Sequence, residues 1–269
     1  MAPGRPSLIG LPYDAASSFL RGAAAAPAAI RAALLSPAGN SFSEDLHDLR
    51  ALADAGDVVF GDDIEPRDAI ARAIASCCAA GERPIALGGD HSVTHPVMRA
   101  VHAAHGAVSV LHIDAHPDLY DVFEGDRYSH ACPFARIMEE GLAQRLVQVG
   151  IRTMTPHLRE QAGRFGVHVI DMRAWVAGER PVVEGPVYLS IDLDGIDPAF
   201  VPGVSHPEPG GLTVRDVITM VQQLTTPTVR LVGADVVELN PSRDPSGVSA
   251  IVAAKLVKEI AAAMLVPPA

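Results

Sequence analysis

The stretch AVSVLHIDAHPDLYD, residues 107–121, passes from an apolar, β-branched run into metal-binding side chains at alternate positions. The run at 107–111 is typical of a buried strand, and Asp114, His116 and Asp118 follow almost at once. Carboxylates at the end of a buried strand are costly unless they are paired, hydrogen-bonded or bound to a metal ion. This stretch therefore indicates both a core strand and a polar site at its carboxyl end.

Similar apolar runs recur along the whole chain and alternate with segments of helical spacing. The predicted helices cover residues 66–81, 92–106, 134–143, 156–166, 213–224 and 246–265. Continuous apolar strands that alternate with helices predict an α/β fold, in which helices cover both faces of a parallel sheet. The sequence has no internal repeat or low-complexity linker, so a single domain over residues 1–269 is the simplest interpretation.

Polar residues stand at the ends of three further predicted strands. The segment GGDHS supplies His91, the segment VYLSIDLDGIDP supplies Asp192 and Asp194, and the segment VGADVVELNP supplies Asp235 and Glu238. Because the carboxyl ends of parallel strands lie along one edge of the sheet, we expect all four clusters to converge there.

So many acids in one small region would repel each other unless cations were bound between them. The donor set has more oxygens than nitrogens and no thiolate, which favours Mn²⁺ over a structural Zn²⁺. It also exceeds the needs of one ion, so we predict two Mn²⁺ ions in each subunit. Each motif alone has an ordinary explanation, such as a turn or a helix cap. The joint occurrence of the motifs is what favours a metal site.

The composition limits the partners of the protein. The 269 residues carry a formal net charge of −11, so no attraction to nucleic acid or to an anionic membrane is expected. A negative field suits a small cationic substrate. The three cysteines lack metal-binding spacing, and the first residues lack the pattern of a signal peptide. A cytoplasmic location is therefore expected.

The motifs GGDHS, DAHPD and SIDLDGIDPAFVPGVSHPEPGG resemble those of the ureohydrolases, the family that includes arginase and agmatinase. The likeness covers nearly the whole chain, and residues 114–141 look especially like plant-type arginases. The resemblance implies a three-layer αβα sandwich around an eight-stranded parallel sheet. It also implies a dinuclear manganese centre and assembly into a homotrimer or homohexamer.

The same resemblance implies roles for individual residues. One ion would be held by His91, Asp114, Asp118 and Asp192. The other would be held by Asp114, His116, Asp192 and Asp194. His130 falls where the family keeps a proton-shuttling histidine, and Glu238 falls where it keeps the acid that binds the guanidinium group.

The chemistry that follows is hydrolysis of a guanidino compound to urea and an amine. Two cations would lower the pKa of a shared water molecule, and Glu238 would hold the flat guanidinium group in place. Asp118 is suited to pass a proton to the leaving nitrogen, and His130 is suited to exchange a proton with solvent.

L-arginine is the favoured substrate because of the plant-type likeness, with agmatine or another guanidino acid as alternatives. Arg127, between Asp118 and His130, is chemically suited to pair with an α-carboxylate, although an exposed loop charge fits its position as well. Animal-type arginases carry an Asn and a Ser in this loop that have no match here. His206 is expected to lie close to the pocket.

Two other classes share parts of this pattern. Deacetylases of the same fold use one zinc ion and lack the full ligand set, and a binding protein without catalysis would be expected to lose His130 or Glu238. The motifs around His91, DAHPD and DLD are all intact, which favours a two-metal hydrolase. His112 is predicted either to support the ligands or to pack in the core, and Asp90 is expected to orient its neighbour.

Overall fold

The structure, a computed structural model, describes residues 4–266. Its strands are β1 (Pro6–Gly10), β2 (Ala53–Asp57), β3 (Arg83–Leu87), β4 (Val108–Ile113), β5 (Ala143–Ile151), β6 (His168–Asp171), β7 (Gly185–Asp192) and β8 (Val229–Val237). They form one sheet in the order β2-β1-β3-β8-β7-β4-β5-β6, and every neighbouring pair is parallel. The predicted parallel sheet is confirmed.

Helices cover both faces of this sheet. They are α1 (Ala26–Leu34), α2 (Pro66–Ala79), α3 (Thr94–His105), α4 (Pro133–Glu139), α5 (Pro156–Phe165), α6 (Met172–Val176), α7 (Val214–Gln223) and α8 (Val248–Leu265). Two apolar clusters result, one with α1, α6, α7 and α8 and the other with α2 to α5. Successive strand residues such as Leu8 and Ile9 belong to opposite clusters, as the two-residue period of a strand requires. The three-layer αβα sandwich is therefore confirmed.

Two predicted elements differ from the structure. The helix expected over 134–143 ends at Glu139, because Gly141 adopts a left-handed φ of 65° and β5 follows at once. The apolar run DVVF at 57–60 predicts a strand, but only Asp57 lies in one, because the edge strand β2 ends at that residue. Because β2 pairs only with β1 and is mostly exposed, backbone pairing and not apolar pattern decides its position.

The GGDHS segment brings the turn after β3 against the loop that follows β1. Gly89 passes the backbone of Tyr13 so closely that a Cβ atom would overlap the Tyr13 carbonyl oxygen. The same oxygen accepts a hydrogen bond from the Asp90 N–H at 2.9 Å. Glycine is needed for this close approach. The contact fixes His91 at the carboxyl edge of the sheet, next to residues 14–22.

Candidate active site

The four central strands of the sheet, β3, β8, β7 and β4, carry the polar clusters at their carboxyl ends. A cavity of about 240 Å³ opens there. Its lining includes the predicted site residues His116, Asp118, His130, Asp192, Asp194 and Glu238. His91 and Asp114 are fully buried beside them. The structure thus brings together all six predicted metal ligands, together with His130 and Glu238.

His91 forms the centre of the first group of donors. Its Nδ1 lies 3.3 Å from Asp114 Oδ2, 3.1 Å from Asp118 Oδ2 and 3.2 Å from Asp192 Oδ2. This nitrogen is buried and has no hydrogen-bond partner of good geometry among the described residues. One imidazole nitrogen and three carboxylate oxygens that face a single point are a donor set for a divalent cation.

The opposite nitrogen of His91 explains why Nδ1 can serve as a ligand. Nε2 lies 3.0 Å from Ser190 Oγ, and that hydroxyl donates its own proton to Asp235 Oδ1 at 2.7 Å. Ser190 must therefore accept from Nε2–H, which leaves the lone pair of the neutral ring on Nδ1. Tyr188 and Thr94 also donate to Asp235, so this acid lies behind His91 and outside the cavity.

His116 forms the second group of donors. Its Nδ1 lies 3.1 Å from Asp194 Oδ2 and 3.4 Å from Asp114 Oδ1. The two oxygens of Asp114 therefore face different histidines, one towards His91 and the other towards His116. A carboxylate in this position can bridge two ions. Asp192 also connects the two groups of donors, because its Oδ1 accepts the Asp194 N–H at 2.8 Å while its Oδ2 faces His91.

The electrostatics of the two groups also fit bound cations. Burial and repulsion from Asp194 and Asp114 raise the pKa of Asp192 well above its usual value. Burial also raises the pKa of Asp194, to about 6. Burial alone would lower the pKa of His116, but the charge of Asp194 and the bond to Asp114 raise it to about 12. Without metal, protons partly offset the negative charge that cations would otherwise balance.

His112 supports Asp114 and is not itself a ligand. Its Nε2 lies 2.8 Å from Asp114 Oδ2, and Gln148 Nε2 donates to its Nδ1 at 3.0 Å. Because Nδ1 accepts that bond, Nε2 carries the proton and donates it to Asp114, so neither nitrogen has a free lone pair. Phe134 stacks on the ring with centroids 3.9 Å apart. Of the two predicted roles of His112, the structure therefore favours support of the ligands.

Glu238 and His130 stand together on the substrate side of the cavity. Glu238 Oε1 accepts the His91 N–H at 2.9 Å and lies 3.4 Å from His130 Nδ1. Its Oε2 is buried and has no partner among the described residues, which leaves an acceptor for a cationic ligand. Glu238 and Asp118 both have positive φ angles, 64° and 50°, so the surroundings hold both carboxylates in a strained backbone conformation.

Glu238 and His130 also shift each other's pKa. Burial alone would raise the pKa of Glu238, but the hydrogen bond and charge of His130 lower it, so the carboxylate form is stabilised. Burial alone would lower the pKa of His130, but Glu238, Asp118 and Asp90 raise it to about 9. His206 stacks on the His130 ring with centroids 4.8 Å apart and lines the cavity, as expected.

Arg127 does not join these residues. Its guanidinium donates to Asp121 at 3.3 Å and to Glu139 at 3.0 Å, and its side chain is 51% exposed. The loop turns outward at Glu124 and Gly125, which both have positive φ angles, so closeness in sequence to His130 does not place Arg127 in the cavity. None of the described lining residues is a Lys or an Arg. In this structure Arg127 is therefore not placed to pair with an α-carboxylate inside the cavity.

Asp90 also differs from its expected role. Its carboxylate accepts the Ser92 N–H at 3.1 Å and the Ala16 N–H at 2.9 Å, so it anchors the loop after β1 and does not orient the His91 ring.

Several contacts of the site residues could not be found from the sequence motifs. Ser190 stands two residues before Asp192 on the same strand face, a phase that could have signalled it. Gln148 and Ser18 come from distant segments and carry no such signal.

Comparison with known proteins gives consistent matches over almost the whole chain. A family model described as "Arginase family" matches residues 5–263. Arginase 1, mitochondrial, from Arabidopsis thaliana is 48% identical over 97% of this chain and 81% of its own length. Agmatinase, mitochondrial, from Gallus gallus is 34% identical over 94% of this chain and 79% of its own length. Among solved structures, arginase from Medicago truncatula aligns with a TM-score of 0.89 and 44% identity, covering 97% of this chain and 88% of that one.

Proposed function

Since the chain belongs to the arginase family, and is thus a hydrolase of the arginase and agmatinase type, we propose that it hydrolyses L-arginine to L-ornithine and urea. The observation that carries this proposal is the buried Glu238 Oε2, which has no partner among residues 4–266 and lies beside the two groups of metal donors. A planar cation with several N–H donors matches that oxygen, and a guanidinium group is such a cation.

The residues present fit a dinuclear manganese centre. We assign one ion to His91, Asp114, Asp118 and Asp192. We assign the other to Asp114, His116, Asp192 and Asp194. Two such ions, when bound, act as a Lewis acid that makes a water molecule nucleophilic near neutral pH.

The side chains of this chain then bind the substrate and move its protons. Glu238 Oε2 accepts guanidinium N–H groups and keeps the central carbon towards Asp118 and Asp192. Asp118 lies at the cavity wall, where it can accept a proton from the attacking water and pass it to the leaving nitrogen. His130, whose pKa is raised by Glu238, Asp118 and Asp90, supplies the further proton that the departing amine needs.

Urea release from L-arginine, agmatine, guanidinobutyrate and guanidine by manganese-loaded protein tests the proposed substrate. We expect kcat/KM for L-arginine to exceed the others by at least about tenfold, because unmatched polar groups penalise the wrong ligand. The relatives support this order, since the arginase is 48% identical and the agmatinase 34%. A higher kcat/KM for agmatine than for L-arginine would mean that agmatine is the substrate. Amide cleavage without urea release would point to the deacetylase class.

The location and the assembly of the protein stay predictions. Among residues 4–266, no helix combines the length and the hydrophobicity needed to cross a bilayer. The Arabidopsis relative is named as mitochondrial. The cytoplasmic location, the homotrimer or homohexamer, and the assignment of residues 1–269 to one domain are therefore all open to direct measurement.

Replacing His130 with alanine is expected to lower kcat by about 10²-fold, the contribution typical of one positioned proton-transfer group. Without metal, the charges of Glu238, Asp118 and Asp90 raise the pKa of His130 to about 9, and cations bound at Asp118 would lower it, so the imidazolium form is lost as pH rises through a value at or below about 9. Wild-type kcat should therefore fall on the alkaline side of that pH, and H130A should lack this fall. The titratable groups whose charges act on the ring are Glu238, Asp118, Asp90 and His206.

The measurements are kcat against pH and the metal content of H130A, which we expect to equal that of the wild type. The matched control is H105A, because His105 lies at the end of α3, outside the cavity lining. A wild-type rate and pH profile in H130A would exclude a proton-transfer role for this residue.

A further inference from the structure

Residues 14–22, the loop that follows β1, are fixed across one side of the cavity. Asp14 Oδ2 accepts the Gly22 N–H at 2.7 Å and so closes the loop on itself. The Ala16 N–H donates to Asp90 at 2.9 Å, and the Ala16 carbonyl accepts the His130 N–H at 3.2 Å. The loop is thus bonded to the backbone of His130 as well as to the turn that carries His91.

Ser18, in the middle of this loop, contacts the His130 ring with its side chain. Its Oγ lies 2.8 Å from His130 Nε2, although the two residues are 112 positions apart in the chain. Ser18 also lines the cavity. The other ring nitrogen, Nδ1, faces Glu238 Oε1 at 3.4 Å. Each nitrogen of His130 therefore has its own partner, and the ring is held from both ends.

A hydroxyl group suits this position for a chemical reason. A serine Oγ can donate a hydrogen bond to a neutral imidazole nitrogen and can accept one from a protonated nitrogen. Ser18 can therefore stay bonded to His130 before and after a proton transfer. An alanine here would leave Nε2 without its partner and the ring held only by Glu238 and by the stack on His206.

We propose that Ser18 is a positioning residue for His130, which it holds with Nδ1 directed at Glu238 in both protonation states of the ring. This proposal rests on the proposed function, because the reaction that would report on it is guanidino hydrolysis. Ser18 acts through His130 and makes no chemical step of its own.

The neighbouring Ser17 provides a matched control. Its Oγ lies 3.4 Å from Asp90 Oδ2, away from His130, and it belongs to the same loop. We expect S18A to lower kcat for L-arginine by about threefold to tenfold, as loss of one hydrogen bond predicts. KM should change by less than about twofold, because Glu238 still binds the guanidinium group. S17A should match the wild type, and S18T, which keeps the hydroxyl, should regain most of the lost rate.

A double-mutant cycle with H130A shows whether the effect passes through His130. If it does, adding S18A to H130A causes no further loss, because the residue that Ser18 positions is already absent. An equal loss in both backgrounds would mean that Ser18 acts on the substrate directly and would overturn the proposal. An unchanged kcat in S18A would overturn it as well.

A crystal structure of metal-loaded S18A separates failure of this proposal from failure of the proposed function. We expect the His130 ring to rotate away from Glu238 in S18A and to keep its place in S17A. If the wild type releases no urea from any guanidino compound but the ring still rotates, the proposed function fails and the positioning role stands. If the ring stays in place, the positioning role is wrong whatever the substrate.

Discussion

Replacing Asp192 with asparagine is expected to lower turnover by at least about 10³-fold, because a hydrolytic dinuclear centre loses a shared donor. Asp192 Oδ2 faces His91 Nδ1 at 3.2 Å, and Asp192 Oδ1 accepts the Asp194 N–H at 2.8 Å. Asparagine keeps one oxygen, which can still accept that backbone bond. It replaces the second oxygen by an uncharged NH₂ group that cannot bind a cation. Elemental analysis of the manganese-loaded variant should show fewer ions per chain than the wild type.

The thermal stability of metal-free D192N gives a second readout. Turnover should fall in this variant, but its stability without metal should not. Without metal, burial and repulsion from Asp194 and Asp114 raise the pKa of Asp192, so its charged form is unfavourable in the folded state. D192N removes that charge, and the metal-free variant should be at least as thermally stable as the metal-free wild type. Manganese binds the native state and should raise Tm of the wild type much more than Tm of D192N.

The control for this substitution is D171N. Asp171 directly precedes α6 and accepts the N–H groups of Arg173 and Ala174, so it caps a helix as Asp192 caps the turn after β7. Asparagine is as good a cap as aspartate, so D171N should keep its metal and its rate. Full activity of D192N with both ions retained would show that the ligand assignment is wrong. The same experiment with H116A tests the second group of donors.

The sequence predicts those parts of the site that depend on where a strand ends. Asp114, Asp192 and Glu238 each stand at the end of an apolar run, and a parallel sheet gathers such ends on one edge. This is why the αβα layers and the meeting of the four clusters could be derived before any coordinates. The edge strand β2 could not, because its residues are exposed and its place is decided by pairing with β1.

The contacts between distant loops are the part that the sequence does not contain. Arg127 is near His130 in the chain, yet the turn at Glu124 and Gly125 sends it to solvent, where Asp121 and Glu139 pair with it. Ser18 is far away in the chain and contacts His130 directly. The path of a loop depends on φ angles and on long-range hydrogen bonds, which an apolar pattern does not encode.

Replacing Glu238 with glutamine is expected to lower kcat/KM for the guanidino substrate by about 10²- to 10³-fold. Removing one partner of a buried ion pair costs about 3–5 kcal/mol, and about 1.4 kcal/mol corresponds to a factor of ten. The lower part of that range applies because glutamine keeps the size and planar shape of the glutamate side chain. The matched control is E160Q, since Glu160 lies on the exposed side of α5, outside the cavity lining.

Unlike the change at Asp192, this one should leave the metal content intact, because Glu238 faces His91 through the backbone N–H and not through the ring. A glutamine oxygen can keep that bond at the Oε1 position, while its NH₂ group replaces the unpaired Oε2 and opposes the N–H donors of the substrate. The charge that stabilises protonated His130 is also removed, so the pKa of His130 should fall. The alkaline fall in kcat should then move to lower pH. Wild-type kcat/KM in E238Q with full metal content would mean that another group binds the guanidinium.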